Sequence, residues 1–343
     1  MTEISDLALV PSGLVPGLVP IGFAEMLLCR AAEIDDPARL WHDATTLAAL
    51  AQQWNGHGAE KREIKAAQMF VEIELGQRLG PRPGQGTRTD MDLSHAISGE
   101  VDGLIPQPRI SELQRMYGHA DALIEAVRNG ALSRRSLLLK VDEWEAKERP
   151  EPTADDLEIR AGDFRDVLAD VEPGSVALVL TDPPYPAEYL PLWDALGAWA
   201  AGALMDGGSL VAYCGHAHII DAGVRLAAHL RYWWTLALIH GQSQMIPGKW
   251  VSAGWKPLLW FVRDHRAGRA MLADTLQGSP PRKTVPTGDD GAWAQGVAEL
   301  APIISALTAP GDLIVDPFAG SGTVGLAAHR FGRRFIGAEI RPS

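Results

Sequence analysis

The chain has 343 residues, of which 46% are hydrophobic, a formal net charge of −12 and two cysteines. This length exceeds one typical domain, and the apolar content supports a sizeable core. The acidic balance argues against non-specific coating of nucleic acid, two distant cysteines argue against a disulfide framework or zinc site, and no apolar run approaches the roughly 18 residues of a membrane span.

The amino-terminal region has a short tail followed by helical patterns. Residues 1–20 are interrupted by proline and glycine, which predicts a mobile tail. Glu3 and Asp6 precede its apolar stretch, so a signal peptide is not expected and a cytoplasmic location is favoured. Residues 21–80 predict helices over 23–32, 36–54 and 60–77. This region resembles a helical segment found beside phage-encoded DNA-modifying proteins.

A second helical region covers residues 90–148, after a linker-like stretch at 80–89. Helices are predicted over 92–97, 108–117, 121–128 and 133–144. Their arrangement resembles the helix-turn-helix core of ParB-like proteins. The resemblance implies an exposed second helix that touches phosphates and base edges through Arg109, Ser111, Gln114 and Arg115. A surface helix of a small bundle is the alternative.

Proline and charge at 143–153 mark the predicted domain boundary. Residues 155–343 then alternate strand and helix patterns, which predicts an α/β sheet. Strands are expected at 157–163, before 182, and at 209–214, 232–240, 257–262, 313–316 and 334–338. Helices are expected at 164–169, 190–205, 217–229, 293–307 and 324–331. The aromatic runs 232–240 and 257–262 favour an antiparallel pair at the sheet edge.

Two of these strands end in an aspartate followed by Pro or Gly. The first leads into Asp182-Pro183-Pro184-Tyr185. The second leads into Asp316-Pro317-Phe318-Ala319-Gly320-Ser321-Gly322-Thr323. Buried parallel strands end in this way at the carboxyl edge of a sheet, where α/β proteins keep their ligand sites.

The two motifs resemble the catalytic and S-adenosylmethionine motifs of amino-directed DNA methyltransferases, in the order of the beta subgroup. The resemblance covers roughly 155–343 and implies a Rossmann-like, mostly parallel sheet with an antiparallel edge strand. It implies that Asp316 and the glycine loop lie near the methionine part of the cofactor. It places Phe318 near the adenine or the sulfonium, Glu339 at the ribose and Asp163 near the adenine.

The catalytic motif suits transfer to an exocyclic amine, whose lone pair is conjugated into the base ring. Asp182 can accept one amino hydrogen and the Pro183 carbonyl the other. Pro184 fixes the backbone without supplying an N–H, and Tyr185 can stack on a flipped base. Aspartate in the first position favours adenine N6; cytosine N4 is the close alternative.

Basic residues elsewhere are candidates for DNA contact. Lys256, in a Lys-Pro pair, resembles a position near the substrate loop of phage-type members. The aperiodic stretch 264–290 is the predicted recognition segment, with Arg263, Arg266, Arg269, Arg282 and Lys283 as candidate contacts. Double-stranded DNA is the expected partner. No metal or membrane is expected, and a homodimer is compatible with the sequence.

Two other functions fit parts of the pattern. Gly320 to Gly325 also reads G-x-G-x-x-G, which suggests a nicotinamide cofactor. A dinucleotide site would need a further βαβ half downstream, so this hypothesis is weaker. The second alternative is a catalytically inactive DNA-binding regulator. Intact Asp182, Tyr185, Asp316 and Glu339 argue against it.

Overall fold

The chain divides into two compact units in the computed structural model, residues up to Trp144 and residues from Glu145 onward. The structure describes residues 19–54, 58–81, 103–150, 152–246, 249–266, 272–278 and 291–340. Most of the predicted tail and linker, and the predicted helix at 92–97, lie outside these ranges. Each unit is described below by itself.

Helices form the described part of the amino-terminal unit. They are α1 (Phe23–Ala31), α2 (Pro37–Gln53), α3 (Gly58–Leu79), α4 (Gln107–Gln114), α5 (Ala120–Arg128) and α6 (Arg134–Glu148), which runs past the unit boundary. The Asp36 carboxylate caps α2 by accepting the Ala38 N–H at 2.9 Å. Gly76 allows α3 to approach α4 closely, because a Cβ there would lie 2.5 Å from the Leu113 carbonyl oxygen.

The carboxyl-terminal unit is built on an eight-stranded sheet. Its strands are β1 (Ile159–Ala161), β2 (Val176–Thr181), β3 (Leu204–Tyr213), β4 (Arg231–Ile246), β5 (Val251–Val262), β6 (Thr275–Gln277), β7 (Leu313–Asp316) and β8 (Arg334–Glu339). They are ordered β1-β8-β7-β2-β3-β5-β4-β6. Among these strands, β5 alone runs antiparallel to its neighbours. The fold is therefore α/β with a mixed, mostly parallel sheet.

The position of the antiparallel strand differs from the prediction. β5 lies inside the sheet, and the edge beyond it is formed by β4 and then by β6, which is parallel to β4. β6 falls in the stretch 264–290, for which no strand was predicted. Three residues are too few to produce a readable alternation of apolar and polar side chains.

Helices cover both faces of the sheet. They are α7 (Phe164–Val167), α8 (Leu190–Ala203), α9 (Ile219–Ala227), α10 (Gly291–Leu307) and α11 (Thr323–Arg330). Leu178 and Leu180 of β2 pack into a core shared with α10 and α11, whereas Val179 packs into the core shared with α8 and α9. All of β2 is consequently buried, as its continuous apolar run predicts.

Neither a membrane helix nor a metal cluster is found in the described residues. No helix there combines the length and the apolar character needed to cross a bilayer. In the same part of the chain, no group of three His, Cys, Asp or Glu side chains is arranged to hold a metal ion.

Candidate functional site

The tips of β2 and β7 meet at one edge of the sheet. These strands are parallel neighbours, with Val179 opposite Val315, so Asp182 and Asp316 lie at the same edge. The Thr181 hydroxyl donates to Asp316 Oδ1 at 2.5 Å and links the two tips. The chain passes from β2 to β3 on one side and from β7 to β8 on the other. Such a reversal is the topological switch point, where open α/β sheets bind ligands.

A cavity of about 430 Å³ opens at this switch point. Both strand tips, the glycine turn after β7 and parts of β3, β4, β5 and α10 line it, through Thr181, Asp182, Tyr213, Leu238, Lys256, Glu299, Leu300, Asp316, Phe318, Ala319, Gly320, Ser321, Thr323 and Val324. Its charged lining residues comprise three carboxylates and one lysine. The cavity is therefore suited to a ligand that carries positive charge.

Asp316 is the buried anchor of the site, with 3% of its surface exposed. Its Oδ1 accepts from the Thr181 hydroxyl and, at 3.0 Å, from the Phe318 N–H. Burial raises the pKa of Asp316 to about 7; these two hydrogen bonds oppose the rise, and the charges of Asp182 and Glu339 add to it. Asp316 thus holds the turn after β7 against β2.

The glycine turn is joined to the end of β8. The Gly320 N–H donates to Glu339 Oε2 at 2.9 Å. Gly320 and Gly322 have φ angles of 50° and 85°, a left-handed backbone that favours glycine. A Cβ at Gly322 would also lie 2.6 Å from the Leu157 side chain. The positive φ angles therefore explain why glycine occupies both positions. Pro317, which precedes this turn, is buried.

Asp182 stands at the mouth of the cavity with its side chain 49% exposed. Its oxygens have separate donors: the Tyr185 hydroxyl bonds Oδ1, and Lys256 Nζ bonds Oδ2 at 2.9 Å. Burial raises the pKa of Tyr185, and the negative charge of Asp182 raises it further. Tyr185 therefore stays protonated and acts as a donor. Pro183, which follows Asp182 in the sequence, is buried.

Lys256 lies between two aromatic rings. Its Nζ is 4.9 Å from the centroid of Tyr185 and 4.6 Å from that of Tyr213, distances at which a cation is attracted to a ring face. Tyr213, Thr181 and Glu299 were not predicted as site residues. Thr181 and Tyr213 are each the last residue of a strand. That position was the sequence feature that could have identified them as site residues.

Asp163 has a capping role in the structure. Its carboxylate accepts the Arg165 N–H at 2.9 Å at the start of α7 and also pairs with the Arg165 guanidinium. It lies close to the end of β8, because the Gly162 N–H donates to the Glu339 carbonyl oxygen at 2.9 Å. Asp163 is not part of the cavity lining, and its contact with a cofactor stays a prediction.

The first residues of the predicted recognition segment lie at the opposite edge of the sheet from Asp182. β5 is antiparallel to β3, so its carboxyl end is remote from the cavity. There Arg263 donates to the Leu204 carbonyl oxygen at 2.6 Å. The Arg266 guanidinium lies 4.9 Å from the Trp260 ring, and burial lowers its pKa. Both arginines therefore lie away from the cavity, and their contact with DNA stays a prediction; Arg269, Arg282 and Lys283 lie outside the described residues.

The face of α4 that was predicted to be exposed and to contact DNA is partly buried. Arg115 forms a buried ion pair with Asp142, and the buried Gln114 donates to the Leu79 carbonyl oxygen at 3.3 Å. Arg109 is partly buried and pairs with Glu112 at 2.6 Å. An eight-residue helix is too short for its apolar spacing to show which face is buried, and here the polar side chains serve the packing of the unit.

The fold and the site together define an α/β protein with an acidic cavity between an Asp-Pro-Pro-Tyr tip and an Asp-Pro-Phe-Ala-Gly-Ser-Gly tip. Residues 295–343, which include the second tip and β8, match the family model N6_N4_Mtase, described as DNA methylase. This match places the glycine turn in the part of the chain that is similar to DNA methylases.

Individual proteins are similar to longer and shorter parts of the chain. "Putative methylase YubD" of Escherichia coli (strain K12) is 26% identical over 198 residues, 52% of this chain and 82% of that protein. Type II methyltransferase M.XycI of Xanthomonas campestris pv. cyanopsidis is 49% identical over 43 residues, 12% of this chain and 14% of that protein.

Solved structures are similar to about half of the chain. TTHA0409 from Thermus thermophilus, in complex with S-adenosyl-L-methionine, has a TM-score of 0.44 at 22% identity, covering 54% of this chain and 88% of that chain. The PvuII DNA methyltransferase, described as cytosine-N4-specific, has a TM-score of 0.45 at 21% identity, covering 54% of this chain and 82% of that chain.

Proposed function

We propose that this protein is a DNA methyltransferase that transfers a methyl group from S-adenosyl-L-methionine to the exocyclic amine of a flipped base. The observation that carries the proposal is the shared cavity between Asp182 and Asp316 at the switch point of the sheet. The DNA methylase match over 295–343 supports it independently. Adenine N6 is the favoured target, because the first position of the catalytic motif is an aspartate; cytosine N4 is the alternative.

The residues of the cavity fit S-adenosyl-L-methionine as the cofactor. It supplies a methyl group activated on a sulfonium cation, and the carboxylates of Asp182, Glu299 and Asp316 complement that positive charge. Glu339 is suited to the ribose hydroxyls because a carboxylate accepts hydrogen bonds from a pair of neighbouring hydroxyl groups. Phe318, which lies 5.3 Å from Phe164 between ring centroids, offers an apolar surface beside the cavity.

The Asp182 tip is suited to orient the amine of the target base. Asp182 accepts one amino hydrogen, and the Pro183 carbonyl accepts the other, which draws the nitrogen toward tetrahedral geometry. The site needs no strong base, since positioning and preorganised charges supply most of the acceleration. Tyr185 packs against the turn at Gly215, where a Cβ would lie 3.4 Å from the tyrosine. This contact fixes the position of the ring on which the target base is proposed to stack.

The β4–β5 hairpin supports a DNA-facing surface beside the cavity. β4 and β5 stay paired from Leu258, which lies opposite Tyr213 at the end of β3, as far as Val251. This part of the hairpin projects about 23 Å past the end of β3, at about 3.3 Å per residue. Trp250 at its tip is 94% exposed and has a φ of 52°, and Met245 is 74% exposed. Apolar side chains that protrude in this way are suited to contact or wedge between bases.

The deciding experiment is methyl transfer to DNA. The full-length protein is incubated with radiolabelled S-adenosyl-L-methionine and unmethylated DNA, and the product nucleosides are separated. N6-methyladenine is expected, and N4-methylcytosine would favour the alternative. Asp182→Ala is expected to abolish transfer while calorimetry still shows cofactor binding. Cofactor binding without turnover on any DNA would refute the proposal and favour a regulator.

A further inference from the structure

The contact between Lys256 and Asp182 has a chemical meaning beyond charge pairing. Asp182 Oδ2 is an acceptor and Lys256 Nζ is a donor, and they lie 2.9 Å apart. Lys256 is held on β5, opposite Leu238 of β4, between the rings of Tyr185 and Tyr213. Its side chain is 28% exposed. The donor is therefore held in place beside the acceptor at the cavity.

A donor beside an acceptor matches one edge of the proposed substrate. In adenine and in cytosine, the carbon that bears the amine is also bonded to a ring nitrogen with a free lone pair. This amidine edge offers amino hydrogens next to an acceptor. Flipped bases are commonly read along this edge by hydrogen bonds. Asp182 and Lys256 have the complementary arrangement, with the acceptor for the amine and the donor for the ring nitrogen.

The geometry points to Lys256 as a base-recognition residue that donates a hydrogen bond to the ring nitrogen adjacent to the target amine. That atom is N1 of adenine or N3 of cytosine. This inference rests on the proposed function and specifies how that site selects its base. It differs from the predicted role of Lys256 in contacting DNA near the substrate loop, because here the lysine reads the base itself.

The pair also discriminates against bases without this edge. Thymine, and guanine at its six-membered carbonyl, present an oxygen where adenine and cytosine carry the amine. That oxygen would face Asp182, and the ring N–H beside it would face Lys256. An acceptor would then face an acceptor at Asp182, and a donor would face a donor at Lys256. The polar groups left without hydrogen bonds penalise binding of the wrong base.

Deaza bases provide the test, because they replace the ring nitrogen by C–H and keep the amine. The methylated site is first located by single-molecule sequencing of DNA from cells that express the protein. An oligonucleotide with that site then carries adenine or 1-deazaadenine, or cytosine or 3-deazacytosine if the product is N4-methylcytosine. The kcat/KM of the full-length protein is measured on each pair, for the unchanged protein, Lys256→Met, Lys256→Arg and the control Lys147→Met at an exposed helix position.

The expected result is a chemical double-mutant cycle with strong coupling. The unchanged protein loses about 10- to 100-fold in kcat/KM on the deaza base, the range for a hydrogen bond to a charged group. Lys256→Met loses a similar factor on the natural base, and its discrimination between the two bases is about 10- to 100-fold smaller than that of the unchanged protein. Lys256→Arg and Lys147→Met keep the discrimination. The intrinsic effect of the deaza ring cancels, because it is the same for every variant.

Two outcomes overturn the inference while leaving the proposed function intact. One is an unchanged protein that methylates natural and deaza sites equally well. The other is a Lys256→Met protein, shown by thermal unfolding and cofactor binding to be folded, that keeps the full discrimination. If the unchanged protein transfers no methyl group to any DNA, the proposed function fails, and the inference fails with it.

Discussion

The buried carboxyl group of Asp316 gives a prediction about stability and pH. Its pKa is raised to about 7 from an ordinary 3.8, chiefly by burial. The folded protein therefore holds a proton on Asp316 between about pH 4 and pH 7, whereas the unfolded chain does not. Because the folded state binds more protons, stability falls as the pH rises through this window. The ionised carboxylate costs about 4 kcal/mol above the folded pKa, at about 1.4 kcal/mol for each pH unit.

Asp316→Asn removes this cost and keeps the local hydrogen bonds. Both Thr181 and Phe318 donate to Oδ1, and the amide oxygen of asparagine can take its place. The predicted gain in the free energy of unfolding is about 4 kcal/mol at pH 8.5 and about 1–2 kcal/mol at pH 5. For a unit of this size, the gain at pH 8.5 corresponds to a rise in Tm of about 8 to 16 °C.

The assay is thermal unfolding of the ligand-free protein at pH 5 and pH 8.5, measured by calorimetry and by circular dichroism. Asp274→Asn, at an exposed position of the same unit, is the control and should show no comparable difference between the two pH values. Cofactor binding at pH 8.5 should weaken in Asp316→Asn, because Asp316 is ionised at that pH and the cavity loses its negative charge. An equal or smaller gain at pH 8.5 than at pH 5 would refute the reasoning.

Three further predictions follow from single contacts. Tyr185→Phe keeps the ring but loses the hydroxyl that bonds Asp182, so kcat should fall about 10-fold with KM changed less than about 3-fold; an unchanged kcat in steady-state assays would exclude a role for the hydroxyl. Arg115→Met removes the cation that pairs with the buried Asp142 carboxylate and should cost about 3–5 kcal/mol in denaturant unfolding; lost DNA affinity at unchanged stability would instead support a DNA contact. Trp250→Ala at the exposed hairpin tip should weaken DNA binding about 10-fold in anisotropy titrations without changing Tm; equal affinity would contradict the DNA-facing assignment.

Local patterns predicted the elements that carry the candidate site. β2 and β7 are continuous apolar runs that stop at an aspartate, and such runs are typical of strands buried on both faces. The glycines at 320 and 322 follow β7 where the backbone adopts positive φ. Each of these features depends on neighbours in sequence, which is why they were readable before the fold was known.

Features that depend on strand order were predicted less well. β5 was expected at the edge of the sheet but lies inside it, because β6 adds beyond β4. Arg263 and Arg266 were predicted as DNA contacts, and the structure places them at the end of β5 that is remote from the cavity, because β5 runs antiparallel to β3. Sequence spacing shows that a charged residue follows a strand. It does not show whether that strand ends on the same side of the sheet as the cavity or on the opposite side.

The sequence by itself determined the chemistry available at two strand tips: an aspartate with consecutive prolines and a tyrosine, and an aspartate with a glycine turn. The tertiary structure alone decided which side chains meet there. Lys256 and Asp182 are 74 residues apart, and Thr181 and Asp316 are 135 residues apart. Such contacts depend on strand order and register, which result from packing of the whole sheet rather than from any local preference.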